Sequence, residues 1–99
     1  MLALGTGALL GIAAPAVADE RADIEAACVK LELGANACSC IAEDAMKRFE
    51  PRMREVVFLS LQDPWGFRVM MQSGQVTHEE VEILNAYQIE IEPFCKIGQ

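Results

Sequence analysis

Four cysteines are the feature that most constrains this chain, because Cys28, Cys38, Cys40 and Cys95 lie within only 99 residues. A domain of this size has a small hydrophobic core, so covalent crosslinks provide a large part of its stability. An even number of cysteines in a short exported chain predicts disulfides rather than free thiols. The expectation of two disulfides therefore depends on whether the chain is exported.

Residues 1–18 predict export. They contain no charged side chain and end with the small residues AVA, directly before the polar Asp19. An apolar core followed by a small-x-small pattern is typical of a secretory signal peptide. A retained membrane anchor fits less well, because the run is short for a span of about 20 residues and is rich in glycine and alanine. We expect cleavage after Ala18 and a periplasmic or secreted domain over 19–99, with no membrane span after cleavage.

Helical spacing dominates the chain after residue 18. Apolar residues recur every three or four positions, and alternating strand patterns are almost absent. The predicted helices are one that ends at Gly34 and three that cover 37–49, 51–62 and 78–92, with a short segment between Pro64 and Gly74. The predicted fold is a single-domain, all-α bundle of four or five short helices that is stapled by two disulfides.

Local signals predict where several helices begin and end. Asn36 and Asp63 carry side-chain oxygens that can cap the helices that follow them. Thr77 and Glu80 have the spacing of a capping box, in which each side chain binds the backbone N–H of the other residue. Pro93 is expected to end or bend the last helix, because proline has no N–H and restricts the residue before it.

The cysteine pairing follows from the helix faces. Cys28 and Cys38 lie on the apolar stripes of two helices that fold back at Gly34, whereas Cys40 points about 200° away from Cys38. A bond between Cys38 and Cys40 fits least well, because the helix separates their Cβ atoms. We favour Cys28–Cys38 with Cys40–Cys95. The swapped pairing, Cys28–Cys40 with Cys38–Cys95, stays open.

Two alternative functions use the same sulfurs. Cys38, Cys40 and His78 are ligands suited to Cu(I). Four methionines at helical core spacing have the same ligand character: Met46, Met53, Met70 and Met71. Thiol–disulfide exchange normally uses C-x-x-C at a helix start beside a sheet, whereas this chain has C-x-C and no predicted sheet. We expect no metal or other cofactor, and a thiol-redox or copper-handling protein is the alternative.

A resemblance supports the structural interpretation of the cysteines. The segment AACVKLELGANACSCIAEDAMK, the signal-like N-terminus and the late Cys95 resemble small exported bacterial helical proteins with a C…C-x-C…C arrangement. No activity is established for that group. The resemblance therefore implies a fold and a compartment, and it transfers no catalytic residue.

One basic cluster stands out in an acidic sequence. Lys47, Arg48, Arg52 and Arg54 are half of the eight Lys and Arg residues, whereas 69–95 contains five glutamates and neither Lys nor Arg. We favour ion pairs between this cluster and the acidic last helix, each contributing about 0–1 kcal/mol. The alternative is a site for an anion, such as a phosphate headgroup, or for a protein partner.

The segment LQDPWGFRVMM holds the only tryptophan. Trp65, Phe67, Met70 and Met71 are either core residues or an exposed apolar surface. A large ring pins a core segment well. The same residues on the surface would form a groove for an apolar ligand or a protein partner, because methionine adapts to varied apolar shapes. This segment is the best candidate for a binding site.

Several function classes are inconsistent with the sequence. A net charge of −7 argues against nucleic acid, whose phosphates favour a basic surface. No G-x-S-x-G, H-E-x-x-H or glycine-rich phosphate loop is present. We therefore expect a protein that is not an enzyme and that acts by binding or interaction, for example as an accessory subunit of an envelope assembly.

Overall fold

The computed structural model describes residues 19–98, which fold into five helices without a strand. Helix α1 is described over 19–30, and the other helices are α2 Ala35–Arg48, α3 Pro51–Gln62, α4 Pro64–Ser73 and α5 His78–Phe94. The predicted all-α class is confirmed. The predicted signal peptide, residues 1–18, lies outside the described residues.

Two of the predicted helix starts are confirmed at atomic detail. The Asp63 carboxylate accepts a hydrogen bond from the Gly66 N–H at 3.0 Å, at the start of α4. In front of α5, Glu80 Oε1 accepts from the Thr77 N–H at 2.9 Å, and Thr77 Oγ1 accepts from the Glu80 N–H at 3.2 Å. These caps satisfy N–H groups that a helix end otherwise leaves without a partner.

The predicted start of α2 and end of α5 are wrong by about two residues. Asn36 does not cap α2, because the helix already begins at Ala35 and its first hydrogen bond joins the Cys38 N–H to the Gly34 carbonyl at 2.9 Å. Gly34 has φ 100°, a value that glycine adopts without the steric cost of a Cβ atom, and this allows the early start. Pro93 lies inside α5 rather than after it, and the Cys95 N–H still bonds the Ile91 carbonyl at 2.8 Å.

The hydrophobic core draws on all five helices. α3 packs against α2, α4 and α5. The buried side chains recur every three or four residues, as helical packing requires. They are Ile24, Cys28, Cys38, Ile41, Ala42, Ala45, Met53, Val56, Val57, Phe67, Val76, Leu84, Tyr87, Ile91 and Cys95. Among residues 19–98 no charged side chain is buried, so any functional charge lies at the surface.

Two disulfides join the helices. Cys28–Cys38 links α1 to α2 with a Cα–Cα distance of 5.5 Å, and Cys40–Cys95 links α2 to the end of α5 at 5.6 Å. The favoured pairing is therefore confirmed over the swapped one. Two bridges in a small domain indicate an oxidising extracellular compartment. Within 19–98, every helix is too short or too polar to span a lipid bilayer.

Candidate functional site

All four sulfurs are used in bridges, which determines what Cys38 and Cys40 offer chemically. The chain has no free cysteine, and Cys28 and Cys38 are fully buried. Copper binding or thiol exchange would therefore require that a bridge first be reduced. His78 lies in the first turn of α5, almost fully in solvent, with its Nε2 3.7 Å from Glu82. In the described part of the chain, no group of three or more cysteine, histidine or acidic side chains converges as metal ligands would.

Arg48 and Arg52 of the basic cluster pair with α5. Arg48 donates two hydrogen bonds to Glu90, at 2.9 and 3.1 Å, and this contact lowers the pKa of Glu90. Arg52 donates two to Glu80, at 2.7 and 3.0 Å. Both contacts have the bidentate geometry in which a guanidinium matches a carboxylate. They hold α5 against α2 and α3.

The remaining members of the cluster behave differently. Arg54 was expected to face the last helix, but it donates to Glu20 of α1 at 3.1 Å and to the Phe49 carbonyl at 2.8 Å. Lys47 is exposed and forms no ion pair within residues 19–98. An external anion at the cluster would have to displace the carboxylates that already bind the three arginines. The three arginines therefore form ion pairs that join neighbouring helices.

The Arg52 contact makes Glu80 a pH-dependent element of stability. The bidentate bond from Arg52, followed by the Thr77 backbone N–H, lowers the pKa of Glu80 from 4.5 to about 2. The folded state thus holds the ionised form more tightly than the unfolded chain does. The resulting stabilisation is present above about pH 4.5 and is lost as the pH falls towards 2.

We expect Glu80→Gln to lower the free energy of unfolding by about 1 kcal/mol at pH 7, the size of a partly exposed ion pair. Glutamine keeps one oxygen for the Thr77 N–H and so preserves the capping box, but it removes the charge and the second oxygen that accepts from Arg52 Nε. Urea unfolding of both proteins at pH 7 and pH 2.5 measures the difference, which should shrink at the lower pH. Glu79→Gln, next along the helix and exposed, should change stability by only a few tenths of a kcal/mol. A Glu80→Gln effect that persists unchanged at pH 2.5 would contradict this assignment.

The four residues of the predicted binding segment do not share one surface. Phe67 is buried in the core, and Met70 and Met71 are partly buried against it. Trp65 points away from the core and is 75% exposed. The separation follows from helix geometry, because residues two apart in α4 point to nearly opposite sides.

The exposed side of α4 carries two residues that the sequence argument missed. Val69, one turn after Trp65, is 57% exposed. The guanidinium of Arg68 lies 5.7 Å from the centre of the indole ring, within the range of a cation–π contact. We call Trp65, Arg68 and Val69 the α4 surface. The i, i+4 spacing of Trp65 and Val69 places both residues on one side of a helix, and this is the signal in the sequence that identifies the α4 surface.

Two apolar clefts follow the inner edge of α5 and meet at Leu84 and Gln88. The first, of about 220 Å³, lies between α2, α3 and α5, and the second, of about 200 Å³, lies between α3, α4 and α5. Ligand pockets for drug-sized molecules are usually about 300–1,000 Å³. Each cleft therefore fits a single apolar side chain better than a whole small molecule.

Two larger depressions lie away from these clefts. One of about 390 Å³ between α1 and α3 is bordered by Glu20, Asp23, Arg54 and Glu55. Another, of about 450 Å³, follows the backbone of residues 33–37 beside Cys95. In the first, four of the seven lining residues are charged, and Arg54 already donates a hydrogen bond to Glu20 there at 3.1 Å.

Comparison of the chain with protein-family models, curated proteins and solved structures finds no match. The functional argument therefore rests on the residues of this chain. Of the sites considered, the α4 surface has the most distinctive composition. It combines the only tryptophan with a second exposed apolar residue and a single positive charge, on a helix without an acidic residue.

Proposed function

We propose that this is an exported, non-catalytic binding protein that attaches to a protein partner through the α4 surface. The observation that carries the proposal is the position of Trp65, which is 75% exposed on a helix whose one buried residue is Phe67. Tryptophan is enriched among the few residues that dominate binding energy at protein interfaces. Phe67, on the other side of α4, is buried in the core and holds the helix in place.

The size of the indole supports a substantial contribution to binding. A tryptophan buries about 150–250 Å² when it is covered. At about 25 cal/mol per Å² of apolar surface, covering the exposed part of Trp65 would contribute about 3–5 kcal/mol before the costs of association are subtracted. Val69, 57% exposed on the same side, adds to the area that a partner would cover.

Arg68 indicates the charge of the complementary surface. It is the only charged residue of α4, within a chain whose net charge is −7. A partner with an apolar pocket for the indole and a carboxylate at its rim would match this arrangement. The two small clefts beside α5 are alternative receptors for side chains of such a partner.

The periplasm is the proposed location, and an accessory subunit of an envelope assembly is the proposed role. The signal-like sequence of residues 1–18, the two disulfides and the resemblance to small exported bacterial proteins support this location.

Crosslinking and substitution on α4 test the proposal. A photoreactive side chain introduced at Gln72, exposed on the same side of α4 two helical turns after Trp65, should crosslink the mature oxidised protein to one defined envelope protein. Trp65→Ala should weaken binding to that purified protein about 30-fold, which corresponds to about 2 kcal/mol. The helix content and the urea midpoint of the variant should stay unchanged, because the indole is exposed.

Val29→Ala is the matched control, since Val29 is an apolar residue of α1 that is 48% exposed. It should bind the partner as the unmodified protein does. The proposal fails if Trp65→Ala binds with unchanged affinity, or if the substitution unfolds the domain and so shows that the indole has a structural role.

A further inference from the structure

The side of helix α5 that faces away from the core carries acidic residues near its start and apolar residues further along. We define the α5 outer stripe by residues that recur at alternating intervals of three and four positions. They are Glu79, Glu82, Ala86, Ile89 and Pro93, all exposed. Alternating three and four is the spacing by which one helix packs along another.

The outer stripe is independent of the packing that holds α5 in the fold. The inward side chains of α5, Leu84, Tyr87 and Ile91, are all buried. Ala86 lies two positions from Leu84, so it points about 200° away from that residue. Ile89 is 77% exposed, the largest exposure of any large apolar residue in the described chain. No element over 19–98 covers this side of the helix.

The charges of the outer stripe have one sign. No lysine or arginine occurs between Val69 and Cys95. In the described part of the chain, Glu79 forms no ion pair, and Glu82 lies near only His78, at 3.7 Å. The dipole of α5 favours Glu79 in the first turn, but Glu82 lies beyond that turn. The apolar residues of the stripe are therefore flanked by acidic groups that lack a strong basic partner.

We propose that the α5 outer stripe binds a basic amphipathic helix of another protein. The partner's apolar residues would pack on Ile89 and Pro93, and its lysines or arginines would lie opposite Glu79 and Glu82. Ala86, in the middle of the stripe, has a small side chain that lets two helices approach closely. This surface is separate from the α4 surface, so the inference goes beyond the proposed function.

A second copy of the chain fits the stripe poorly. In an antiparallel pair centred on Ala86, Glu82 of one copy would lie opposite Glu90 of the other, whose carboxylate already binds Arg48, so this arrangement offers Glu82 no free basic partner. In a parallel pair, Glu79 and Glu82 would face the same residues of the second copy. Like charges that face each other across an interface are destabilising, and each chain carries a net charge of −7. Charge complementarity therefore selects a basic partner over a homodimer.

Designed peptides test this inference with the mature, oxidised protein. The probe is a fluorescent 18-residue helix of leucine and lysine with the leucines at alternating three- and four-residue spacing, and binding is measured by anisotropy. We expect this peptide to bind at least tenfold more tightly than two controls. One control replaces every lysine with glutamate, and the other scrambles the leucine spacing at constant charge. Salt should weaken the binding, because surface charges are screened.

Substitutions locate the site on the protein. Ile89→Glu should weaken binding of the basic peptide at least tenfold, whereas Val29→Glu, which adds the same charge at an exposed apolar residue of α1, should not weaken it. Glu82→Lys should weaken binding of the basic peptide several-fold. Trp65→Ala should leave it unchanged, which separates this inference from the proposed function. Circular dichroism checks that each variant is folded, and Ile89→Ala replaces Ile89→Glu if the latter is not.

Three results would overturn the inference. They are equal binding of the basic and scrambled peptides, unchanged binding by the folded Ile89 variant, and a homodimer whose formation Ile89→Glu abolishes.

Discussion

Replacing Cys40 and Cys95 together by alanine is expected to lower the free energy of unfolding by about 4 kcal/mol. The bridge joins residues 55 positions apart, and closing a loop of that length removes much of the conformational entropy of the unfolded chain. In the chain-entropy relation, the stabilisation grows with the logarithm of loop length. The short Cys28–Cys38 loop, with a separation of 10, should contribute about 3 kcal/mol by the same relation.

Urea unfolding followed by circular dichroism measures both the stability and the mechanism. The slope of free energy against urea rises with the surface exposed on unfolding. Removing the Cys40–Cys95 bridge should therefore steepen the slope, because the unfolded chain is no longer held in a large loop. The double variant of Cys28 and Cys38 is the matched control, and its slope should change less. A loss below about 1 kcal/mol with an unchanged slope would show that the long loop contributes little.

Truncating Tyr87 to alanine is expected to lower the free energy of unfolding by about 3–5 kcal/mol, the range for removing a buried aromatic ring. The ring is buried on the inner side of α5 and meets Phe49 edge to face, with ring centres 4.9 Å apart. The guanidinium of Arg48 lies 5.3 Å from the ring centre. Tyr87→Ala thus removes the ring that joins α5 to the end of α2 and leaves a cavity between them.

Tyr87→Phe is the control, because it keeps the ring and removes only the hydroxyl. The hydroxyl lies 3.5 Å from the Ile41 carbonyl, a long distance for an O–H···O hydrogen bond. We expect this variant to lie within about 1 kcal/mol of the unmodified protein in urea unfolding. If Tyr87→Phe lowers the free energy of unfolding as much as Tyr87→Ala does, then the hydroxyl, rather than ring packing, dominates the contribution of Tyr87.

These magnitudes explain why crosslinks matter to this fold. Single domains have about 0.05–0.15 kcal/mol of stability per residue, so a domain of this size has about 4–12 kcal/mol in total. Loss of the long disulfide alone would remove a third or more of that amount. The domain therefore depends on an environment in which its bridges stay formed, in agreement with an oxidising compartment.

The two proposed surfaces differ in charge. The α4 surface has Arg68 and no acid, whereas the α5 outer stripe has acids and no lysine or arginine. An acidic partner would therefore favour the α4 surface, and a basic partner would favour the α5 outer stripe. A protein that binds through both surfaces would act as a connector within an assembly, and the Trp65 and Ile89 variants separate the two contacts experimentally.

Signals that act over a few residues were sufficient to predict much of this fold. Asp63 and the Thr77–Glu80 pair cap helices through bonds that span three positions, so their geometry depends only on the local chain. The cysteine pairing was favoured for a related reason, since Cys38 and Cys40 leave α2 in opposite directions. The predicted start of α2 is two residues too late, because it relies on a side-chain cap at Asn36. The positive φ of Gly34 lets the helix begin at Ala35 instead.

Contacts between distant segments could not be read from such patterns. Helix α4 has apolar residues on both sides, with Phe67 and Met71 on one and Trp65 and Val69 on the other, so hydrophobicity alone does not choose the inward side. Only the packing of α4 on α3 shows which ring is buried and which is exposed. Spacing along a chain specifies which residues share a helix face, whereas the relative placement of helices decides whether that face is covered.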